Sequence, residues 1–167
     1  MNVKYIKKTK SKLPTYKLSL TKKELKPSAE ERRMQTEFFK FIDNEYPTLR
    51  HMCYAVPNGG RRSAQYGKLL KLQGLTSGVP DICCAIPAFI CKDSKPQCFS
   101  NGLYIEFKSK GKKTNTSQEQ KKFIKHANLF NYCAHVVDSL DEAKSIFKAH
   151  VNEFTKDLLT RLIDGVY

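Results

Sequence analysis

Three features are missing from this sequence, and each absence argues against a class of protein. No window approaches the roughly 20 apolar residues of a membrane-spanning helix. The first 26 residues contain nine lysines and no apolar run of the length found in secretory signal peptides. No internal repeat is present, which argues against solenoids and propellers. We therefore expect a soluble intracellular protein of the cytoplasm or nucleus, with no membrane partner.

Cysteine occurs six times, but never in the Cys-x-x-Cys pair that is typical of structural zinc sites. Cys83 and Cys84 are adjacent within an apolar run, which predicts that they are buried as small hydrophobic residues. Cys91 and Cys98 are candidates for a disulfide or a metal pair, but no second ligand pair lies nearby in the sequence. Reduced thiols are the preferred interpretation, in keeping with an intracellular location.

Acidic residues are few relative to basic ones. The chain of 167 residues contains 30 Lys and Arg against 16 Asp and Glu, which gives a formal net charge of +14. Such a surface attracts polyanions, of which nucleic acid is the commonest. The alternative is that the lysines only solvate the surface, but the excess is large for a chain of this length.

The chain divides into three predicted parts. Residues 1–27 are expected to form a flexible basic arm that adds phosphate contacts independent of base sequence, because the segment has nine lysines, Glu24 as its only acidic residue and no periodicity. An ordinary disordered tail is the alternative. Residues 28–150 are predicted to form one compact domain, and residues 151–167 an amphipathic C-terminal helix.

Helices are predicted to alternate with short strands. Three helix starts are marked by capping boxes, in which a serine stands three residues before Glu or Gln: Ser28, Ser117 and Ser139. A further helix is predicted over 62–73, ended by Gly74. The predicted strands cover 51–56, 82–86, 103–108 and 132–137. With an irregular hairpin-like insertion at 87–101, the order is α-β-α-β-β-α-β-α plus a C-terminal helix, which implies an α/β fold with helices covering a central sheet.

The strand predicted at 103–108 carries a pair of charged residues. With a period of two, its apolar residues face one side, while Glu106 and Lys108 face the other. A carboxylate and an ammonium on a strand built for burial are costly unless they bind something. Asp81 begins the preceding strand, and antiparallel pairing of the two strands would bring its carboxylate toward that of Glu106. The alternative is a plain surface pair, since Glu-x-Lys alone is a weak signal.

Two convergent carboxylates predict a site for Mg²⁺ or Mn²⁺. Such an ion polarises a phosphate and lowers the pKa of a bound water. Lys108 would then stabilise the transition state or help to orient and deprotonate the attacking water. These residue types therefore point to phosphodiester hydrolysis.

An ordered series of motifs resembles the virus-type replication-repair nuclease (VRR-NUC) domain, a branch of the PD-(D/E)xK nuclease superfamily, from about residue 30 to about residue 150. In chain order the motifs are Glu31-x-x-Met34-Gln35, Asn58-Gly59-Gly60-Arg61, Leu70-Lys71-Leu72-Gln73-Gly74, Gly78-Val79-Pro80-Asp81, Gly102-Leu103-Tyr104-Ile105-Glu106-Phe107-Lys108, Ser117-x-x-Gln120, and Tyr132 with Val136-Val137. The resemblance implies a restriction-endonuclease-like core with a central mixed sheet flanked by helices. It implies a Mg²⁺- or Mn²⁺-dependent endonuclease on branched or duplex DNA, selective for Holliday junctions or flaps. A catalytically silent nucleic-acid-binding module and an RNA-cleaving nuclease are the alternatives.

The resemblance also implies further site residues. The metal ligands would be Asp81, Glu106, the backbone carbonyl of Phe107, and Glu31 on the first helix. Gln120 would contribute to catalysis beside Asp81, Glu106, Lys108 and Glu31. Glu31 and Gln120 have a strong alternative role, because each occupies the third helical position of a capping box. Glu30 is an alternative to Glu31, one residue out of register.

Several basic residues near the predicted site are candidate phosphate contacts. Arg61 and Arg62 follow a glycine turn, and Lys110, Lys112 and Lys113 follow the Glu-x-Lys strand. A plain turn and a solvated loop are the alternatives.

The resemblance further implies a homodimer, since small stand-alone members of the family tend to pair. The apolar stripe from Phe154 to Ile163 would serve such a dimer or simply cover the sheet.

Overall fold

The computed structural model describes residues 28–57 and 63–163. The predicted arm at 1–27 and the candidate residues Arg61 and Arg62 lie outside these residues. In chain order the elements are α1 (Ala29–Glu45), β1 (Cys53–Ala55), α2 (Ala64–Leu72), β2 (Ile82–Cys84), β3 (Ala88–Lys92), β4 (Lys95–Ser100), β5 (Leu103–Phe107), α3 (Gln118–Leu129), β6 (Cys133–Val137), α4 (Leu140–His150) and α5 (Glu153–Ile163). Short 3₁₀ helices lie at Pro47–Met52 and Lys113–Asn115.

The main sheet has four strands in the order β1-β2-β5-β6. It is mixed, because β1, β2 and β5 pair antiparallel while β6 runs parallel to β5. The predicted antiparallel pairing of the two site strands is confirmed, with Ile82 opposite Ile105. The insertion at 87–101 is a hairpin, as predicted, but it is more regular than expected, since β3 and β4 form their own two-stranded sheet.

The helix starts follow the predicted caps. Ser28 and Ser117 form complete capping boxes with Glu31 and Gln120. Ser139 forms only half of one: its hydroxyl accepts the Glu142 N–H at 3.2 Å. The carboxylate of Glu142 is held instead by the ammonium of Lys113, with both oxygens 2.6 Å from Nζ. The charged ammonium of Lys113 is a stronger hydrogen-bond partner for the Glu142 carboxylate than the backbone N–H of Ser139, so the second half of the capping box does not form.

The hydrophobic core lies between one face of the sheet and the pair α1 and α4. Leu103, Ile105 and Phe107 of β5 are almost fully buried there, as their alternation predicts. The ring of Phe38 on α1 packs 6.0 Å from that of Phe107 and 5.8 Å from that of Phe147 on α4, measured between ring centroids. The opposite face of β5, which carries Glu106, therefore faces away from this core and toward α3.

Two apolar segments do not pack as their sequences suggest. On α2, the side chains of Tyr66, Leu69 and Leu72 are 51%, 48% and 86% exposed, and Phe130 at the end of α3 is 72% exposed. Apolar periodicity therefore predicted the helix α2 correctly. Within the described residues, however, α2 has no fully buried side chain.

The C-terminal helix α5 packs against the inserted hairpin. The hydroxyl of its buried Thr155 accepts the N–H of Phe89 and donates to the carbonyl of the same residue. Leu159 packs at the margin of the core. Thr155 and Leu159 thus hold α5 within the chain, and the predicted dimer stays a prediction.

All six cysteines are free of disulfide bonds. Cys83 and Cys84 are buried, as predicted, whereas Cys91 and Cys98 are exposed on the hairpin. In the hairpin register Cys91 faces Pro96 and Cys98 faces Phe89, so the two thiols are not cross-strand partners. Among the helices of the described residues, none combines the length and apolarity needed to cross a lipid bilayer.

Candidate active site

The pairing of β2 and β5 places Asp81 beside Glu106. Since Ile82 lies opposite Ile105, the next pair along the ladder is Asp81 and Glu106, and cross-strand partners project from the same face. The Oδ2 atom of Asp81 accepts the backbone N–H of Phe107 at 2.9 Å, which fixes the carboxylate against β5. Glu106 is only 3% exposed. Two carboxylates therefore converge at one end of the sheet.

Lys108 and Gln120 both reach Glu106. The ammonium of Lys108 lies 2.6 Å from Oε1 of Glu106, and the Gln120 side-chain N–H donates to the same oxygen. The other oxygen, Oε2, is buried and has no hydrogen-bond partner among residues 28–57 and 63–163. An unpaired buried carboxylate oxygen is costly, so this atom is where a cation would be most stabilising.

Gln120 is a helix cap and also a hydrogen-bond partner of Glu106, although the sequence offered cap and site residue as alternatives; its part in catalysis stays a prediction. Its side-chain oxygen accepts the backbone N–H of Ser117 at 2.9 Å, completing the capping box, while its NH₂ group donates to Glu106. The helix cap thus sets the orientation of the amide that contacts the candidate site.

Glu31 also combines a cap with a contact near the site. Its Oε2 accepts the N–H of Ser28 at 2.7 Å, and its Oε1 accepts the N–H and hydroxyl of Ser109 at 2.8 and 3.0 Å. Glu31, rather than Glu30, makes these bonds. Both of its oxygens are engaged, and within 28–57 and 63–163 no three His, Cys, Asp or Glu side chains gather into a metal-binding group. The structure brings together Asp81 and Glu106, with Glu31 adjacent but held in its cap.

Both converging carboxylates are costly to ionise. Burial, followed by the charge of Asp81, raises the pKa of Glu106 to about 7, although the hydrogen bond and charge of Lys108 act in the opposite direction. The N–H of Asp81 also lowers this pKa, although it makes no hydrogen bond to Oε2. Burial likewise raises the pKa of Asp81, against the effect of the Phe107 N–H. A divalent cation between the carboxylates of Asp81 and Glu106 would offset the cost of ionising both in a buried site.

The raised pKa of Glu106 predicts how the metal-free protein responds to pH. An unfolded Glu loses its proton near pH 4.5, whereas folded Glu106 holds it until about pH 7. The proton on folded Glu106 therefore stabilises the fold fully below pH 4.5, and this stabilisation is lost as pH rises through 7. The loss should reach about 3 kcal/mol. Urea unfolding in EDTA from pH 4.5 to 8 checks this: Glu106→Gln should remove the decline, and parallel curves for the two proteins would contradict it.

The candidate phosphate contacts after β5 do not share one environment. Lys110 and Lys112 are exposed. Lys113 instead binds Glu142 at 2.6 Å and Asp138 at 3.5 Å. These ion pairs to α4 and its preceding loop set Lys113 apart from the other two lysines, and the phosphate contact of all three stays a prediction.

Two residues near the site contribute through their backbone or small size. Ser109 is 8% exposed and ties β5 to Glu31; no motif singled it out, although its position directly after Lys108 was a usable signal. Gly78 has φ +85, and a Cβ there would lie 2.6 Å from the Glu119 carbonyl oxygen and 2.8 Å from the Gln120 nitrogen. The loop before Asp81 therefore packs directly on the first turn of α3, which only a glycine at this position permits.

Comparison with known proteins bears on this arrangement. Among solved structures, a VRR_NUC domain protein superposes with a TM-score of 0.59 and 20% sequence identity, covering 74% of this chain and 89% of that chain. This chain shares the fold of a VRR_NUC domain protein. No protein-family model and no curated protein sequence matches it. At 20% identity the likeness concerns the fold, so the chemistry must be argued from the site itself.

Proposed function

We propose that this protein is a divalent-metal-dependent nuclease of the PD-(D/E)xK type, with Asp81, Glu106 and Lys108 at the centre of its active site. The observation that carries the proposal is the convergence of two largely buried carboxylates beside an ammonium, with one carboxylate oxygen left unpaired. A restriction-endonuclease-like core is consistent with the mixed sheet and with the VRR_NUC-like fold.

The donor set fits Mg²⁺ or Mn²⁺. Oxygen ligands are those that hard divalent cations prefer, and Glu106 Oε2 is a buried acceptor without a partner in the part of the chain that the structure describes. Asp81, Glu106 and the Phe107 carbonyl would hold the ion, with Glu31 joining only if it releases Ser28 or Ser109. When bound, the ion supplies a Lewis acid for the scissile phosphate and lowers the pKa of the attacking water.

The surrounding residues position the site and complement its charge. Lys108, 16% exposed at its side chain, places a cation where negative charge develops on the phosphate. Gln120 orients Glu106 from the capped end of α3, and Glu31 fixes the backbone at Ser109, directly after Lys108. Each contact comes from a helix, a helix cap, a strand or a residue that directly flanks a strand, which favours a preorganised site.

The sequence around the carboxylates suits a polyanion. Residues 46–80, which lead to Asp81, contain five Lys or Arg and no Asp or Glu. Residues 107–137, which follow Glu106, contain seven lysines and Glu119 as their only acidic residue. The helices α1 and α4, on the opposite face of the sheet, hold seven of the sixteen acidic residues, of which Glu31 reaches the margin of the site at Ser109. We therefore assign nucleic acid, in the first place branched or duplex DNA, to the Glu106 face.

A substrate panel tests the proposal. The full-length protein is incubated with supercoiled plasmid and with labelled flap, fork, four-way junction, linear, single-stranded and RNA substrates, in Mg²⁺, Mn²⁺ or EDTA. We expect cleavage of DNA in either metal and none in EDTA. Binding without cleavage in every metal would contradict the proposal and favour a silent binding module, and preferred cleavage of RNA would reassign the substrate.

The salt dependence of binding separates the loop lysines. Lys110→Ala and Lys112→Ala should each lower the slope of log affinity against log salt by about 0.9 on duplex DNA, because each removes one phosphate contact. Lys113→Ala should leave the slope unchanged and lower the melting temperature instead, since it strands Glu142. Fluorescence anisotropy at several salt concentrations measures this; a reduced slope for Lys113→Ala would show that its ion pairs open for phosphate.

A further inference from the structure

The face of the sheet that carries the two carboxylates also carries an aromatic cluster. Tyr54 of β1 pairs with Cys83 of β2, which pairs with Tyr104 of β5. Cys83 follows Asp81 by two residues and Tyr104 precedes Glu106 by two, so this row projects from the same face as the carboxylates. Two residues along a strand span roughly 7 Å, which places the row immediately beside the proposed active site.

Two tyrosines of this cluster are fixed by packing. The ring of Tyr104 lies 5.0 Å from that of Phe123 on α3, edge to face, and 5.6 Å from that of Tyr132. The ring of Tyr132 packs so closely on Gly102 that a Cβ there would lie 3.1 Å from it. We call Tyr54, Tyr104 and Tyr132 the tyrosine cluster.

Tyr54 differs from the other two members, because its side chain is 49% exposed. Tyr54 lies opposite Cys83 in the strand ladder, and the Cys83 side chain raises the pKa of Tyr54. Its backbone is thus held by the sheet while aromatic surface stays open to solvent. Such a ring is preorganised to receive a flat partner at small entropic cost.

The flanking charges indicate what that partner is. Tyr54 lies in the segment 46–80, which has five basic and no acidic residues, and next to carboxylates proposed to act on a phosphodiester. Nucleic-acid bases are flat and carried on a polyanion, so they satisfy both features. In a duplex each base face is covered by its stacked neighbours, and only an unpaired base offers a face to an aromatic side chain.

We propose that Tyr54 is a stacking platform for an unpaired base next to the cleaved phosphate, so that the substrate is a nucleic acid with a single-stranded segment at the cut site. This inference rests on the proposed nuclease function and names its substrate class. It predicts preference for flaps, splayed junctions or single strands over uninterrupted duplex.

Three substitutions at Tyr54 test the stacking without a change of fold. Tyr54→Phe and Tyr54→Leu both remove the hydroxyl, and they differ only in the aromatic ring. Anisotropy with the full-length Asp81→Asn protein measures affinity for flap and duplex DNA without cleavage. We expect Leu to weaken flap binding about 10-fold relative to Phe, with duplex binding equal for the two. Equal flap affinity for Phe and Leu would overturn the proposal, as would equal losses on flap and duplex.

Tyr54→Trp provides a direct optical readout, because the chain contains no tryptophan. Its fluorescence should be quenched by a flap or single-stranded oligonucleotide and not by a blunt duplex; equal quenching by both would overturn the inference. Cleavage assays in Mg²⁺ separate the two hypotheses. If the wild type cleaves DNA but the Tyr54→Phe and Tyr54→Leu proteins do not differ in binding or cleavage, the stacking proposal fails and the nuclease assignment stands. A Phe–Leu difference in binding with no cleavage in any metal removes the nuclease assignment and supports a single-strand-binding face.

Discussion

Replacing Asp81 with Asn, or Glu106 with Gln, should reduce metal-dependent cleavage at least about 1,000-fold while leaving DNA affinity within a few-fold of wild type. Both changes preserve side-chain shape and remove one ligand charge, so loss of the cation removes its stabilisation of the transition state. Phosphate contacts lie elsewhere, which is why binding should survive. Single-turnover cleavage in Mg²⁺ and anisotropy in EDTA measure the two effects.

Two controls distinguish the loss of the active site from a general loss of structure. Asp93→Asn makes the same chemical change at an exposed position, where φ is +49 and Asn is well tolerated; it should cut like wild type. Glu106→Gln should moreover be more stable than wild type at pH 8 in EDTA, because it removes a buried carboxylate whose pKa is raised to about 7. A variant that is more stable and yet inactive cannot owe its inactivity to unfolding. Cutting at wild-type rates by both site variants would refute the site.

Replacing Gly78 with Ala should damage both stability and cleavage. The position has φ +85, and the new Cβ would meet the backbone of Glu119 and Gln120. The first turn of α3 must shift, and with it the amide that holds Glu106. We expect a cost of at least about 3 kcal/mol, with cleavage by the folded fraction reduced on the order of 100-fold. Urea unfolding and single-turnover kinetics below the unfolding range measure these effects.

Gly74→Ala is the matched control for this prediction. Gly74 also has positive φ, +98, but no atom beyond its chain neighbours lies within 4 Å of an added Cβ. It should show the backbone strain alone, about 1 kcal/mol, with cleavage close to wild type. If the two alanine variants behave alike, the contact between the Gly78 loop and α3 does not position the site.

Local signals in the sequence predicted the parts of the fold that local physics determines. The alternation along Leu103–Phe107 predicted which side chains enter the core and that Glu106 faces away from it. The serine caps predicted the starts of α1 and α3 to the residue. The antiparallel pairing of the two site strands was a premise rather than a consequence of these signals; the structure has this pairing, and it places Asp81 beside Glu106.

The roles of Glu31 and Gln120 were framed as rivals, cap or site, and this framing was too narrow. A carboxylate has two oxygens and an amide has both an oxygen and an NH₂ group, so one side chain can bond in two directions. Gln120 caps with its oxygen and contacts Glu106 with its nitrogen. Glu31 caps with Oε2 and holds Ser109 with Oε1.

Tertiary pairing could not be inferred from the sequence. Lys113 resembles its neighbours Lys110 and Lys112, and only the position of α4 reveals its ion pairs with Glu142 and Asp138. The apolar residues of α2 have helical spacing, but spacing predicts a face and not its partner. The tyrosine cluster is equally invisible, since Tyr54 and Tyr104 are distant in sequence and meet only through β2.

Manganese binding tests most directly whether the carboxylates of residues 81 and 106 share a cation. Electron paramagnetic resonance of free Mn²⁺, titrated at pH 8 into the full-length protein without nucleic acid, reports uptake independently of any cleavage. Wild type should remove roughly one equivalent from solution, and Asp81→Asn should bind at least about 10-fold more weakly while Asp93→Asn matches wild type. Equal Mn²⁺ uptake by wild type and Asp81→Asn would contradict the shared site.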